Sequence, residues 1–254
     1  MSQAIVITGA SSGIGAALAR QLGRRGDRVV LAARRQTELR RLADEIGTKA
    51  VPVVTDVTRR GDVEALRDRA IGAFGSIDVW VNNAGRGVSK NVLELTDEEV
   101  DEMMTVNVKS ALYGMQAVLP HFIERGRGHV INVSSFLSRV PMATIRSAYS
   151  ASKAALNSLT ANVRMDLAAA HPGIHVTLVM PGLVSTEFAG HALHGTPPMS
   201  PAAAAAAQTA DEVAAVIAGV IDHPVAEVYT APQLAPLARR YFEDVGAFER
   251  SMRS

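Results

Sequence analysis

A chain of 254 residues, 48% hydrophobic and 20% charged, is long enough to bury a large core and has the balance of a globular protein. Its 26 basic and 25 acidic residues leave a formal net charge of +1, so bulk electrostatics gives no reason to expect nucleic acid or a membrane surface as partner. The absence of cysteine excludes disulfides and thiolate chemistry and fits a reducing compartment; the expectation is a cytoplasmic protein whose function lies in a local site.

The opening stretch, "MSQAIVITGASSGIG", has no basic start of the secretory kind, and its apolar run breaks at Gly9. Residues 4–8 therefore read as a first strand, and no apolar run anywhere reaches the roughly 18 residues of a membrane span. Further runs rich in Val and Ile follow at 29–33, 51–55, 79–82, 130–134, 176–180 and, more weakly, 225–230. The first six of these seven runs are nearly apolar throughout, as expected of strands buried on both faces. Between them lie helical stretches near 14–24, 36–46, 59–74, 97–123, 149–170 and 209–221. Thr96 with Glu99, and Thr209 with Glu212, have the spacing of capping boxes at the fourth and sixth helices, while "HPG" at 171–173 stops the fifth. Strand alternating with helix predicts an α/β fold in which helices cover both faces of a parallel sheet.

No linker-like stretch divides the chain, so residues 1–254 read as one domain. Residues 183–208, with "HGTPPMSPAAAAAAQ" and an Ala run opened by Ser200 and Pro201, read as a substrate-binding loop or lid. Residues 232–254 read as an amphipathic helical tail, with Leu234, Leu237, Tyr241, Phe242 and Val245 available to pack.

"TGASSGIG", from Thr8 to Gly15, sits where the first strand gives way to the first helix. Glycines at 9, 13 and 15 let backbone N–H groups approach a pyrophosphate, and the helix N-terminus behind them favours negative charge. The second strand ends "VVLAARR", which puts Ala33 where an acid would hold the ribose 2′-hydroxyl of NAD, followed by Arg34 and Arg35. A guanidinium there suits a 2′-phosphate, which predicts NADP in preference to NAD.

"AYSASKAALN", residues 148–157, places Tyr149 four positions before Lys153. On a helix the two share one face, about 6 Å apart along the axis, so the phenol and the ammonium can converge on one point. The seven histidines form no ligand spacing with acids, and no metal site is expected.

Six segments, "TGASSGIG", "NNAG" at 82–85, "VNVKS" at 106–110, "INVSS" at 131–135, "YSASK" at 149–153 and "MPGLVST" at 180–186, resemble in order and spacing the short-chain dehydrogenase/reductase family. The resemblance covers residues 1 to about 188. It implies a three-layer, doubly wound Rossmann-type fold on a seven-stranded parallel sheet, and hydride transfer between nicotinamide and a carbonyl or secondary alcohol. It also implies that Tyr149 is the acid/base, that Lys153 lowers its pKa and holds the nicotinamide ribose, and that Ser135 bonds the substrate oxygen. Asn107 would hold a water linking Lys153 to solvent. Around the cofactor it implies Gly9, Ser11, Ser12, Gly13, Ile14, Gly15, Arg34 and Arg35 from the first two strand ends. To these it adds Asp56 and Val57 near the adenine, Asn83, Ala84 and Gly85 along its edge, Tyr149 and Lys153 beneath it, and Pro181, Gly182, Val184 and Thr186 at the carboxamide.

The chemistry of those residue types agrees with these roles. Carbonyl reduction needs a proton donor within hydrogen-bond reach of the oxygen. A phenol supplies it, a nearby ammonium favours the phenolate, and a serine hydroxyl meets the developing charge. The resemblance implies a homodimer through the fourth and fifth helices, while the missing "VDGG"-like ending leaves a tetramer with less support. A dinucleotide-binding regulatory protein with little turnover is the alternative function.

Overall fold

The computed structural model describes residues 2–188, 190, 192–195 and 200–252. Six strands alternate with helices from the start: β1 (Ala4–Thr8), α1 (Gly13–Arg25), β2 (Arg28–Ala33), α2 (Gln36–Ile46), β3 (Ala50–Val54), α3 (Arg60–Phe74), β4 (Val79–Asn82), α4 (Asp97–Met104), α5 (Ser110–Arg125), β5 (Gly128–Val133), α6 (Ser147–Ala168) and β6 (Ile174–Met180). Then come β7 (Val184–Ser185), α7 (Pro201–Ala206), β8 (Gln208–Thr209), α8 (Ala210–Asp222), β9 (Glu227–Tyr229), α9 (Leu234–Glu243) and α10 (Val245–Ser251). Seven strands form one sheet in the order β3-β2-β1-β4-β5-β6-β9, every neighbouring pair parallel. Among the described residues no helix is long and apolar enough to cross a membrane.

Because side chains alternate along a strand, each strand feeds two cores. Ile5, Ile7, Val29 and Leu31 point to the layer of α1, α2 and α8, where Leu18, Leu22, Leu39 and Ile217 are fully buried. Val6, Val30, Trp80 and Val130 point to the layer of α3, α5 and α6, against Leu66, Met115, Val118 and Phe122. Both faces are covered, which is why these strands are apolar without alternation.

β3 departs from that expectation. It lies at the sheet edge, pairs only with β2, and leaves Val54 exposed; Pro52 sits within it because an edge strand needs fewer ladder donors. The helix expected over 97–123 is two helices joined through a π-helical turn, Thr105–Lys109, whose one-residue surplus shifts the buried face part-way along. The tail is also two helices: Asp244 breaks it and caps α10 through Ala247 N (2.8 Å). Leu234, Leu237 and Tyr241 pack there as expected, whereas Phe242 and Val245 are exposed. Both capping boxes form. The short parallel pair β7–β8 has no period visible in the sequence. Of the expected loop over 183–208, Ala189, His191 and residues 196–199 lie outside the described residues.

A buried polar chain crosses the second layer. Trp80 Nε1 donates to Asn82 Oδ1 (2.7 Å), Asn82 Nδ2 to Asn132 Oδ1 (2.8 Å), Asn132 Nδ2 to Thr160 Oγ1 (2.9 Å), and Thr160 Oγ1 to Leu156 O (2.7 Å). α5 approaches close enough that a Cβ on Gly114 would stand 2.2 Å from Asn82 Oδ1. Replacing Asn82 by Ala strands Trp80 Nε1 and Asn132 Oδ1 in a dry interior. We expect a loss of about 2–4 kcal/mol, read as a lower urea midpoint at unchanged m-value.

Candidate active site

Parallel strands bring all their C-terminal ends to one edge, and the chemistry-bearing segments follow β1, β4, β5 and β6 there. The turn after β1 is a cradle that only glycine fits. Gly9 and Gly13 have φ of 67° and 54°, and a Cβ on Gly15 would stand 2.4 Å from Gly9 O. Ser12 stands at the N-cap of α1 without a side-chain cap bond, and the first turn holds no acid, so the helix N-terminus presents free N–H groups to an anion. Ile14 turns inward onto the core.

The Asn82-Asn83-Ala84-Gly85 segment is pinned against this cradle by Thr8. Its hydroxyl donates to Val81 O (3.2 Å) and accepts from Asn83 N (3.0 Å) and Ala84 N (3.1 Å), while Asn83 Nδ2 donates to Thr8 O (2.9 Å). Thr8 is thus a positioning residue that the glycine spacing alone does not reveal.

At the end of β2 the two arginines diverge. Arg35 Nε donates to Ser11 Oγ (3.1 Å), and its Nη1 lies 3.7 Å from Glu187. Arg34 lies on the Asp56 side. Burial pushes the Asp56 carboxyl upward, but bonds from the Thr58 hydroxyl (2.7 Å) and N–H (3.0 Å), and the Arg34 charge, hold it below its ordinary value. Val57 packs onto the second core beside it. A groove of about 570 Å³ runs past Ser11, Ser12, Gly13, Arg35, Thr186 and Glu187. It lies at the phosphate end of the cradle, and neither Tyr149 nor Lys153 lines it.

Tyr149 and Lys153 occupy successive turns of α6, both buried. Lys153 Nζ donates to Val133 O (2.8 Å), lies 5.9 Å from the Tyr149 ring centre and would be 3.4 Å from a Cβ on Gly85. Burial brings its pKa from 10.5 down to about 8. The Tyr149 hydroxyl departs from the expected lowering. Burial raises its pKa above 10.0, and the Ser135 hydrogen bond and the Arg146 charge only partly offset that. Phe188 covers the phenol, ring centres 5.6 Å apart.

Ser135 follows β5 and caps the short turn Phe136–Ser138 through Leu137 N (3.2 Å). Its neighbour Ser134 points away, donating to Asn157 Oδ1 (2.6 Å) and Lys153 O (3.2 Å), which separates the two serines that the sequence leaves side by side. Asn107 sits in the π turn. Its Oδ1 accepts from Arg86 N (3.0 Å), and its Nδ2 donates to Arg86 O (2.9 Å) and Ser152 Oγ (3.0 Å), joining α6 to the strand-β4 segment.

The segment after β6 closes the edge. Pro181 O accepts from Phe136 N (2.7 Å), Gly182 abuts Leu234, Val184 pairs with Gln208, and the Thr186 methyl would meet a Cβ on Gly13 at 3.5 Å. Farther on, Leu193 N donates to Gly87 O (2.9 Å), Ser89 N to Leu193 O (3.1 Å), and His194 pairs with Glu99, which Lys90 also holds at 2.8 Å. Arg146, Phe188 and Glu187 were not singled out by spacing; the only signal for Arg146 is its place three residues before Tyr149.

The burial of Lys153 has a thermodynamic consequence. A base whose folded pKa is depressed binds fewer protons when folded, so its contribution to stability grows as pH rises from about 8 to 10.5 and is lost below that window. Lys153→Met removes this slope. The variant should be more stable than wild type at pH 7, and the difference should shrink by roughly 2–3 kcal/mol by pH 10 in urea titrations.

Residues 3–196 match the family model described as short chain dehydrogenase. An uncharacterized oxidoreductase of Staphylococcus epidermidis is 37% identical over 183 residues, 72% of this chain and 78% of that protein. Among solved structures, a short chain dehydrogenase/reductase from Burkholderia phymatum in complex with NAD superposes with a TM-score of 0.86 at 28% identity, covering 97% of this chain and 95% of that one. An alcohol dehydrogenase from Thermococcus sibiricus complexed with 5-hydroxy-NADP gives a TM-score of 0.79 at 29% identity, covering 90% and 96%. With a glycine cradle suited to a pyrophosphate and a buried Tyr/Lys pair beside it, the chain belongs to the short chain dehydrogenase family of nicotinamide-dinucleotide-dependent oxidoreductases.

Proposed function

We propose that the enzyme interconverts a carbonyl compound and its secondary alcohol with NADP as hydride carrier. The observation that carries this reading is Tyr149, hydrogen-bonded to Ser135 and one turn from Lys153, all three buried beside the glycine cradle. Bound NADPH supplies the hydride for the carbonyl carbon. Tyr149 Oη gives its proton to the carbonyl oxygen, and Ser135 Oγ holds that oxygen as charge develops on it. A phenolate then has to be tolerated in a dry site, and the Lys153 ammonium one turn away stabilises it while returning a proton. Asn107 keeps α6 in register with the Arg86 backbone, and the Phe188 ring covers Tyr149 against water.

NADP is favoured over NAD because Ala33 leaves no acid for a 2′-hydroxyl, and Arg35 already meets Ser11 beside the cradle with Arg34 next to it. Two solved relatives carry NAD in one case and an NADP derivative in the other, so the preference rests on these residues. The outer faces of α5 and α6, with Ile123 and Met165 exposed, are the surface for a homodimer.

Tyr149→Phe should lower kcat by at least roughly 100-fold against any carbonyl that wild type reduces, while NADPH still binds; NADPH absorbance and calorimetry report the two separately. Arg34→Ala and Arg35→Ala should each weaken NADPH binding by roughly 1.5–3 kcal/mol and leave NADH nearly unaffected. Equal losses for both cofactors would overturn the NADP assignment.

A further inference from the structure

On α6, Tyr149, Lys153 and Asn157 follow one another at four-residue intervals, so the three side chains share one face of the helix. The first two carry the reaction proposed above, and Asn157, buried one turn beyond Lys153, has no part in it yet. Both ends of its amide go to the segment after β5. Oδ1 accepts from Ser134 Oγ (2.6 Å), and Nδ2 donates to Ser138 Oγ (2.7 Å).

The turn between those two contacts is closed within itself. Ser135 O accepts from Ser138 N (3.1 Å) and from the Ser138 hydroxyl, while Ser135 Oγ accepts from Leu137 N (3.2 Å). With its oxygen held by Leu137 N, the Ser135 hydroxyl is oriented to donate to the Tyr149 phenol, a bond that favours the phenolate. On its other side the turn is held by apolar packing: Phe136 sinks among Leu234, Ala238 and Phe248. Such packing sets how deep the turn lies but only loosely how far it stands along α6, because hydrogen bonds are directional and apolar contacts are not. The Asn157 amide supplies the missing coordinate, since it grips the turn at both ends from a fixed place on the helix that carries the phenol.

We propose that Asn157 is a positioning residue of the reaction: through Ser134 and Ser138 it holds the Ser135 turn at the height on α6 where the Ser135 hydroxyl meets the Tyr149 phenol and the substrate oxygen. The proposal rests on the oxidoreductase reading above. Without the brace the turn keeps its internal bonds but drifts along the helix, so the hydroxyl no longer meets the charge that develops on the oxygen. The loss falls on the chemical step and not on binding of substrate or cofactor.

The test measures NADPH-dependent carbonyl reduction in Asn157→Ala and in Ser138→Ala, which cuts the bond to Asn157 but keeps the Ser138 N bond that closes the turn. Each is made in wild type and in Ser135→Ala, with melting temperature and NADPH affinity as checks of folding. Each should lower kcat by roughly 10- to 100-fold in wild type with little change in KM. In Ser135→Ala the same changes should cost less than about 3-fold, because the group they position is gone. Equal fold losses in the two backgrounds overturn the proposal and leave the oxidoreductase reading intact. A second arm follows the phenol without turnover, by NMR of tyrosine labelled with carbon-13 at Cζ, the Tyr149 resonance being identified by its loss in Tyr149→Phe. Its titration should move to higher pH in Asn157→Ala and Ser138→Ala, as in Ser135→Ala, because the phenolate loses a donor. An unmoved titration overturns the proposal. A moved one, without turnover of any carbonyl by wild type, upholds the brace on Ser135 and overturns the oxidoreductase reading; no turnover with an unmoved titration overturns both.

Discussion

The register of α6 against the end of β5 is the constraint on which the rest of the site depends. Four polar bonds set it: Asn132 to Thr160 deep in the layer, Ser134 to Asn157 and to Lys153 O at the strand end, and Asn107 to Ser152 across the π turn. A helix packed on a sheet by aliphatic side chains alone can slide by fractions of an ångström at little cost, whereas buried donors and acceptors lose their partners at once. The phenol, the ammonium and the Ser135 hydroxyl are therefore positioned by a separate set of buried polar groups.

The glycine cradle is held in a comparable way from its far side. Thr8 offers one hydroxyl to three backbone groups of the next segment, and Asn83 returns a bond to Thr8 O. Two loops that each need unusual backbone are thereby made mutually dependent. At Gly9, where φ is positive, a side chain would also intrude on Asn83 and Ala84, so the two loops fit only with glycine there.

Much of this was legible in the sequence because burial on both faces leaves an unmistakable signature: six apolar runs, each followed by a chemically distinctive segment. Strand and helix order follows from it, and both capping boxes from their own spacing, whereas Ser135, Tyr149, Lys153 and Asn107 were singled out by the resemblance of six ordered motifs to a known family. What could not be read depends on three-dimensional neighbours. The edge position of β3 is a fact of pairing, not of composition. The π turn hides inside a run of good helix formers, and a single stripe drawn through 97–123 averages over its offset. The direction of the Lys153 proton, towards Val133 O, and the raised pKa of Tyr149 come from burial, which spacing does not measure. Arg146 belongs to the same class: its neighbours Gly87 and Phe188 are distant in sequence.

The parallel sheet also gives the site a history. Thr186 meets Gly13, and Leu193 pairs with the segment at Gly87 and Ser89, so contacts between residues more than a hundred positions apart complete the edge. A chain emerging N-terminus first can form the β1–α1–β2 cradle early. It cannot cover Tyr149 until the part following β6 has been made and has travelled back across the sheet. Such long-range closures fold slowly and leave apolar strand edges open meanwhile. Enclosure of Tyr149 therefore waits on residues made long after the cradle, and a chain that stops at β6 carries the cradle without the Phe188 cover.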